Sequence, residues 1–198
     1  MVKQSSTKRP IDKKQAVLDA ALALFVEHGF HSTSTASIAK HAKVATGTLF
    51  HHFPSKEAIL SALFVSIKTD FATDLAQQYQ LTGQLKQDAQ QLWQLAIDWA
   101  IKHPLKQQFF LQYSLSSSIP SSVRQYAMTE ILTLITDLIE QGQQQGLIVN
   151  YPVSLMLENC HGQYLAAIRF FTDNPEFGYQ SEYRDASFLL FWRAIAIE

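Results

Sequence analysis

The sequence predicts an all-α protein of about nine helices: an N-terminal three-helix head followed by a C-terminal helical bundle body. Three observations predict this. Apolar residues recur at spacings of three and four along most of the chain, the period of a helix with one buried face. Helix breakers are scarce, with seven Gly and six Pro in 198 residues. Hydrophobic residues make up 47% and charged residues 17% of the chain, enough apolar surface for a large core and too little charge for wholesale disorder.

The head comes first. Residues 1–10 read as a flexible basic arm ending at Pro10. From Asp12, the residues Val17, Ala20, Ala21, Leu24 and Phe25 share one helical face, and Gly29 supplies the stop. The cluster His31-Ser-Thr-Ser-Thr35 is rich in capping residues, so Thr35 or a neighbour caps a second helix over 36–42. Ile38, Ala39 and Ala42 face inward there. A break at Lys43-Val44-Ala45 precedes a third short helix over 46–52, with Leu49 inward. Ser55 caps the next helix.

That fourth helix is long, carrying Ile59, Leu60, Leu63, Phe64, Ile67, Phe71 and Leu75 to about residue 79. Leu85, Ala89, Leu92, Ala96 and Trp99 mark a fifth, ended near His103-Pro104. The aromatic segment 105–115 is a sixth, and the serine-rich stretch 116–122 is a loop. Val123, Ala127, Ile131, Leu134 and Leu138 define a single seventh helix. Pro152 opens an eighth, reaching about residue 173, and 181–197 form a ninth. The head is expected over 1–55 and the body over 56–198.

Charge is divided in the same way. Residues 1–56 carry eight Lys or Arg against three Asp or Glu, and the remainder eight against fourteen. A basic end on an acidic body is the footprint of a nucleic-acid-binding head. The one cysteine, Cys160, excludes an internal disulfide scaffold and suits a reducing compartment. The polar, basic start has no apolar run behind it, so no secretory signal or membrane helix is expected, and the expected location is cytoplasmic.

The specific signal lies in Thr35-Ala-Ser-Ile-Ala-Lys-His-Ala-Lys-Val-Ala-Thr-Gly-Thr-Leu-Phe-His-His-Phe-Pro-Ser-Lys56. Two short helices joined by a tight turn, apolar where they meet, describe a helix-turn-helix. Its second helix can enter a major groove while the first crosses the backbone. Thr35, Ile38, Ala39, Ala42, Val44, Gly47, Thr48, Leu49, Phe53, Ser55, Lys56 and Glu57 follow a pattern that resembles the TetR/AcrR family. The strong resemblance covers about residues 12–60.

The resemblance implies a double-stranded DNA operator as partner. It implies phosphate contacts from Thr35, His52 and Lys56, the last as a point charge at a helix start, and His51 beside His52 reads as a groove-flanking donor. It also implies groove contacts from Thr46, Gly47, Thr48 and Phe50, with Gly47 permitting close backbone approach. Phe50 stands where the family usually has Tyr. Two departures matter. Lys43 occupies the turn position where the family prefers Gly, so it either holds a strained positive φ or rebuilds the turn and points at the DNA backbone. Ala45 replaces the usual Ser cap of the recognition helix, leaving open whether Thr46 caps instead and turns its hydroxyl away from DNA.

Other chemistries fit less well. His51 and His52 project about 100° apart on a helix, and no Cys or carboxylate cluster accompanies them, so no metal is expected. Ser114, Asp98 and His161 lack a nucleophile turn or phosphate loop, so no enzyme activity and no cofactor are expected. The aromatics of the body exceed what a simple bundle needs and suit an apolar pocket. The resemblance implies an effector site there, for a small apolar or aromatic molecule. Phe64, Trp93, Phe110, Tyr113, His161 and Tyr164 are candidates to line it, with Gln112, Asn159 and Gln163 as polar neighbours. It also implies homodimerisation through the last two helices, with Leu157, Ile168, Phe171, Leu189 and Trp192 as interface candidates.

The expected function is a ligand-responsive, sequence-specific regulator, binding a palindromic operator as a dimer. Two alternatives stay open at this level: a small-molecule-binding relative that has lost DNA binding, and a regulator controlled by a partner protein. Repression and activation are not distinguished by the chain, since operator position decides between them.

Overall fold

A computed structural model describes residues 12–197. The expected basic arm at 1–10 lies outside the described residues. The described chain is helical, apart from an isolated antiparallel bridge between Ile148 and Ala196. It divides into two compact units, with the boundary between Leu63 and Phe64.

In the head, α1 spans Lys13–His28, α2 Thr35–His41 and α3 Thr46–His52, and α4, Lys56–Gln78, contributes its first turns. Asp12 caps α1, its carboxylate accepting from the Lys14 and Gln15 amides. Gly29, at φ 80°, ends the helix, and its N–H bonds the Phe25 carbonyl. α1 packs on both α2 and α3. The core here is Val17, Ala21, Phe25, Ile38, Leu49, Ile59 and Leu60, all fully buried. Burying a side chain such as Phe25 stabilises the unit by about 1.5–3 kcal/mol. Polar groups tie the α1–α2 loop: the buried Thr33 hydroxyl lies 2.8 Å from the Gly29 carbonyl and 3.2 Å from that of Leu24.

The body contains the rest of α4 with α5 (Leu85–Lys102), α6 (Pro104–Tyr113), α7 (Ser121–Tyr126), α8 (Thr133–Gln144), α9 (Val153–Asp173) and α10 (Ser181–Ile195). α9 packs against α5, α6, α8 and α10, and α10 also covers α5. Aromatic side chains fill the space between helices: Phe71 meets Trp99 edge-on at 5.1 Å, Trp93 stacks on Phe191 at 4.7 Å, and Phe64 meets Phe110 at 6.0 Å. Such pairs contribute about 0.5–1.5 kcal/mol each beyond their buried area.

One expected element differs. The single seventh helix is two helices, α7 and α8, joined by a π-helical turn at Ala127–Ile131, so the described residues hold ten α-helices rather than nine. The wider turn accommodates an extra residue and shifts the helical register. Met128 and Leu132 are buried in consequence, while Ile131 and Leu134 of the expected stripe are partly exposed.

Candidate functional site

The surface of the head is set by how little of α3 the core requires. Leu49 is fully buried, whereas Thr46, Gly47, Phe50 and His51 are exposed and Thr48 and His52 are partly so. Phe50, 46% exposed, is an aromatic ring with no core role. Ala45 is the N-cap residue and makes no side-chain cap bond, so Thr46 is the first helical residue and does not cap the helix. The first turn of α3 therefore presents its backbone amides without a side-chain oxygen from the cap position.

The turn before α3 holds the conformation expected for a family glycine. Lys43 has φ 56° and is the non-glycine residue with positive φ among the described residues. Its N–H bonds the Lys40 carbonyl at 3.2 Å and the Val44 N–H bonds the Ala39 carbonyl at 3.0 Å. With Ala42 as the C-cap of α2, these two bonds make a Schellman closure and put Lys43 in the left-handed position. A side chain there costs on the order of 1 kcal/mol. The turn is thus not rebuilt; it tolerates the strain and leaves the Lys43 ammonium exposed.

Two placements sharpen the expectation. The neighbour Ser34 caps α2, in a reciprocal capping box with Ser37. Thr35 is the first helical residue, half-buried, with its N–H at the open helix end. Lys56 is not a free charge. Its ammonium donates to the carbonyls of Phe30 at 2.8 Å, Thr33 at 2.9 Å and His31 at 3.4 Å, and sits 4.4 Å from the centroid of the Phe30 ring. These contacts hold the α1–α2 loop, a role beside the expected phosphate contact that the sequence pattern does not reveal.

The body holds a cavity of about 80 Å³ between α4, α5, α6, α8, α9 and α10. Of the residues expected at an effector site, Trp93, Phe110, His161 and Tyr164 line this cavity. Phe64 and Tyr113 do not; both are buried elsewhere, Phe64 against Phe110 and Tyr113 against Phe109. Of the polar neighbours, Asn159 is exposed and bonds the Leu155 carbonyl, Gln112 is exposed, and Gln163 lines a groove between α9 and α10. Phe71, Leu92, Leu132, Leu138 and Leu157 complete much of the apolar wall.

The cavity also holds a group the sequence reading passed over. Lys68 of α4 is 2% exposed and lines it. Its Nζ lies 3.1 Å from His161 Nε2 and 4.6 Å from the Phe110 ring centroid. Burial pushes its pKa down to about 7, the charge of Glu158 opposing the fall. Burial, and then the Lys68 charge, hold His161 well below the usual histidine range, so the imidazole is neutral and accepts from the ammonium. The Cys160 thiol is pushed up to about 11 by burial, so it lines the wall as an unreactive neutral group.

Three of the expected dimer residues are placed inside the protomer instead. Leu157, Ile168 and Phe171 are 2%, 2% and 4% exposed within a single chain, so they have no surface left for a second copy. Leu189 is exposed and Trp192 is partly so. The apolar surface of α9 and α10 lies at Ala166, Phe170, Ala186, Leu189 and Leu190, the last 75% exposed.

Comparisons with known proteins agree with this geometry. The family model for bacterial regulatory proteins of the tetR family matches residues 17–63, covering α1 to α3 and the start of α4. The HTH-type transcriptional regulator UidR of Escherichia coli (strain K12) is 47% identical over 49 residues, a match that covers about a quarter of each protein (25% and 25%). A crystal structure from Shewanella sp. PV-4, assigned to the tetR family of transcription regulators, is 55% identical over 94% of this chain and 99% of that one, with a TM-score of 0.92. The transcriptional regulator FadR of Bacillus subtilis, solved with stearoyl-CoA, shares the fold at a TM-score of 0.70 and 20% identity, over 89% and 96% of the two chains. With the turn geometry and α3 surface above, these matches make this chain a member of the TetR family of transcriptional regulators.

Proposed function

We propose that the chain is a homodimeric repressor that binds a palindromic operator and releases it when a small effector enters the body cavity. The carrying observation is α3, anchored by Leu49 and otherwise directed outward through Thr46, Gly47, Thr48, Phe50 and His51. This arrangement suits insertion into a major groove, with hydroxyls and the Phe50 ring reading base edges and thymine methyls. Lys43, His52 and the Thr35 amide suit phosphate contacts that fix the register. Dimerisation is supported by the exposed apolar residues of α9 and α10, and a twofold dimer presents two such helices to the two halves of a palindrome. The effector is supported by the apolar cavity; that the structurally similar FadR was solved with stearoyl-CoA fits a small-molecule effector for this fold.

Release follows if the effector binds the DNA-competent and DNA-incompetent arrangements of the dimer unequally. The test is selection of bound sequences from a random DNA pool, followed by anisotropy titration of the selected operator with purified protein. A twofold-symmetric site bound by two chains, with salt-dependent affinity, is the expected result. An asymmetric site, or no site enriched above background, refutes the reading.

A further inference from the structure

The body cavity is lined by apolar side chains except on α4 and α9. Its lining from α5, α6, α8 and α10 is Ala89, Leu92, Trp93, Ala96, Phe110, Ile135, Leu138 and Phe191, and the turns before α8 add Met128 and Leu132. α4 and α9 supply the polar groups, Lys68 with His161, Cys160 and Tyr164. Tyr164 is already engaged, its hydroxyl 3.1 Å from Gln107 Oε1. Lys68 is buried with one neutral hydrogen-bond acceptor and two aromatic faces, those of Phe110 and Phe64. Among the described residues no carboxylate lies within ion-pairing distance of it. Glu158 acts on it from beyond that distance and offsets only part of the burial, so charged Lys68 stays disfavoured unless a closer anion supplies the pair.

We propose, building on the effector reading above, that the effector is a monocarboxylate with an apolar or aromatic body, whose carboxylate pairs with Lys68 beside His161 while the body fills the apolar end of the cavity. The charge count selects this class. One buried cation matches one carboxylate. An acyl-CoA thioester has no carboxylate and brings several phosphate charges, for which the lining holds no second cation. An uncharged lipid or alcohol leaves Lys68 unpaired. The low pKa of Lys68 adds a signature. In the free cavity the amine is partly neutral near pH 7, and a bound carboxylate favours its charged form. Binding therefore takes up a proton above pH 7, and affinity falls by up to about tenfold per pH unit until the pKa of the complex is reached. Glu158 and His161 of α9 are the other titratable groups acting on Lys68; His161 stays neutral through this range, and Cys160 and Tyr164 titrate above it.

The experiment is calorimetric titration of the full chain with straight-chain fatty acids of four to twelve carbons and with phenylalkanoates. Each is matched to its alcohol and to its CoA thioester, at pH 6.5 and 8.5. At least one carboxylate should bind at least ten times more tightly than its alcohol at pH 6.5, with the preference shrinking at pH 8.5. Lys68→Met, close in shape and free of charge, should retain alcohol binding and lose the preference. His161→Gln, which keeps an acceptor, should retain it. Equal binding of acids and alcohols, a preference that survives Lys68→Met, binding of thioesters alone, or binding of none of the probes overturns the proposal. Operator release is measured in parallel. Carboxylate binding without release leaves the ligand class standing and refutes the ligand-controlled repressor; release by some other ligand, with no carboxylate bound, does the reverse.

Discussion

Gly47→Ala separates folding from recognition, because the two should respond with opposite signs. Gly47 is the second residue of α3 and is not among the positive-φ glycines. A Cβ built on it meets nothing within 4 Å, so the isolated protein has room for a methyl group. Alanine is the better helix former by up to about 1 kcal/mol and restricts the unfolded chain, so the variant should be about 0.4–1 kcal/mol more stable. For a chain of 198 residues that is a rise of about 1–4 °C in Tm. Nothing inside the head explains a glycine here, which leaves close approach by a ligand surface. If that surface is the operator, the added methyl should weaken specific binding at least about tenfold, or about 1.4 kcal/mol. Thermal unfolding by circular dichroism gives the first quantity and anisotropy on the selected operator the second. Binding to unrelated DNA at low salt, dominated by charge, should change little. Unaltered operator affinity in a stabilised variant refutes the close-approach argument, and a lower Tm refutes the claim that the fold leaves this glycine free.

The other predictions concern three lysines and one glycine. Lys43→Gly should relieve the left-handed strain and stabilise the head by up to about 1 kcal/mol in chemical denaturation; if Lys43 also meets a phosphate, the salt slope of operator binding falls by about one. Lys56→Met removes the three carbonyl contacts and should cost on the order of 2–3 kcal/mol of stability even without DNA, whereas a purely phosphate-binding lysine would leave unfolding unchanged. Because the folded pKa of Lys68 is about 7 and its ordinary value is 10.5, the unfolded chain binds more protons between those values, so stability should rise with pH from about 7 upward, by up to about 1.4 kcal/mol per unit. That rise should be absent in Lys68→Met; comparing urea midpoints of the two proteins between pH 7 and 8 checks it, where Cys160, raised from 9.0 to about 11, opposes it little. A Cβ at Gly142 would lie 2.5 Å from Ile148 Cδ1 and 2.8 Å from Leu85 Cδ2, so Gly142→Ala should overpack α8 and cost about 1–3 kcal/mol, measured in the same way.

The head was legible because its signals are local. Caps, the turn and the buried positions of α2 and α3 fall within about twenty consecutive residues, and a lysine standing where a glycine belongs marked Lys43 as either strained or part of a rebuilt turn, of which the structure shows the first. The loop-holding role of Lys56 was not visible because its acceptors lie 23 to 26 residues earlier, a separation that periodicity does not encode. Lys68 was missed although a signal was present: it falls between Phe64 and Phe71 at spacings of four and three, on the apolar stripe of α4, where a charged residue demands an explanation. The dimer residues failed for another reason. α9 is apolar on two faces, with Leu157, Ile168 and Phe171 turned inward and Ala166 and Phe170 outward. A stripe at helical spacing identifies a buried face but does not say which neighbour buries it. Likewise Val123 to Leu138 kept one helical period in sequence, while the extra residue of the π turn broke it in space.

A seven-residue helix is too short to persist by itself, and α3 owes its place to the single buried side chain of Leu49. Foldability and recognition are therefore written at different letters of the same heptapeptide. A combinatorial library varying positions 46, 47, 48, 50 and 51 with Leu49 held fixed should yield mostly folded proteins. The vocabulary of DNA sequences reachable from this scaffold is then limited by contacts with bases and hardly at all by the stability of the head.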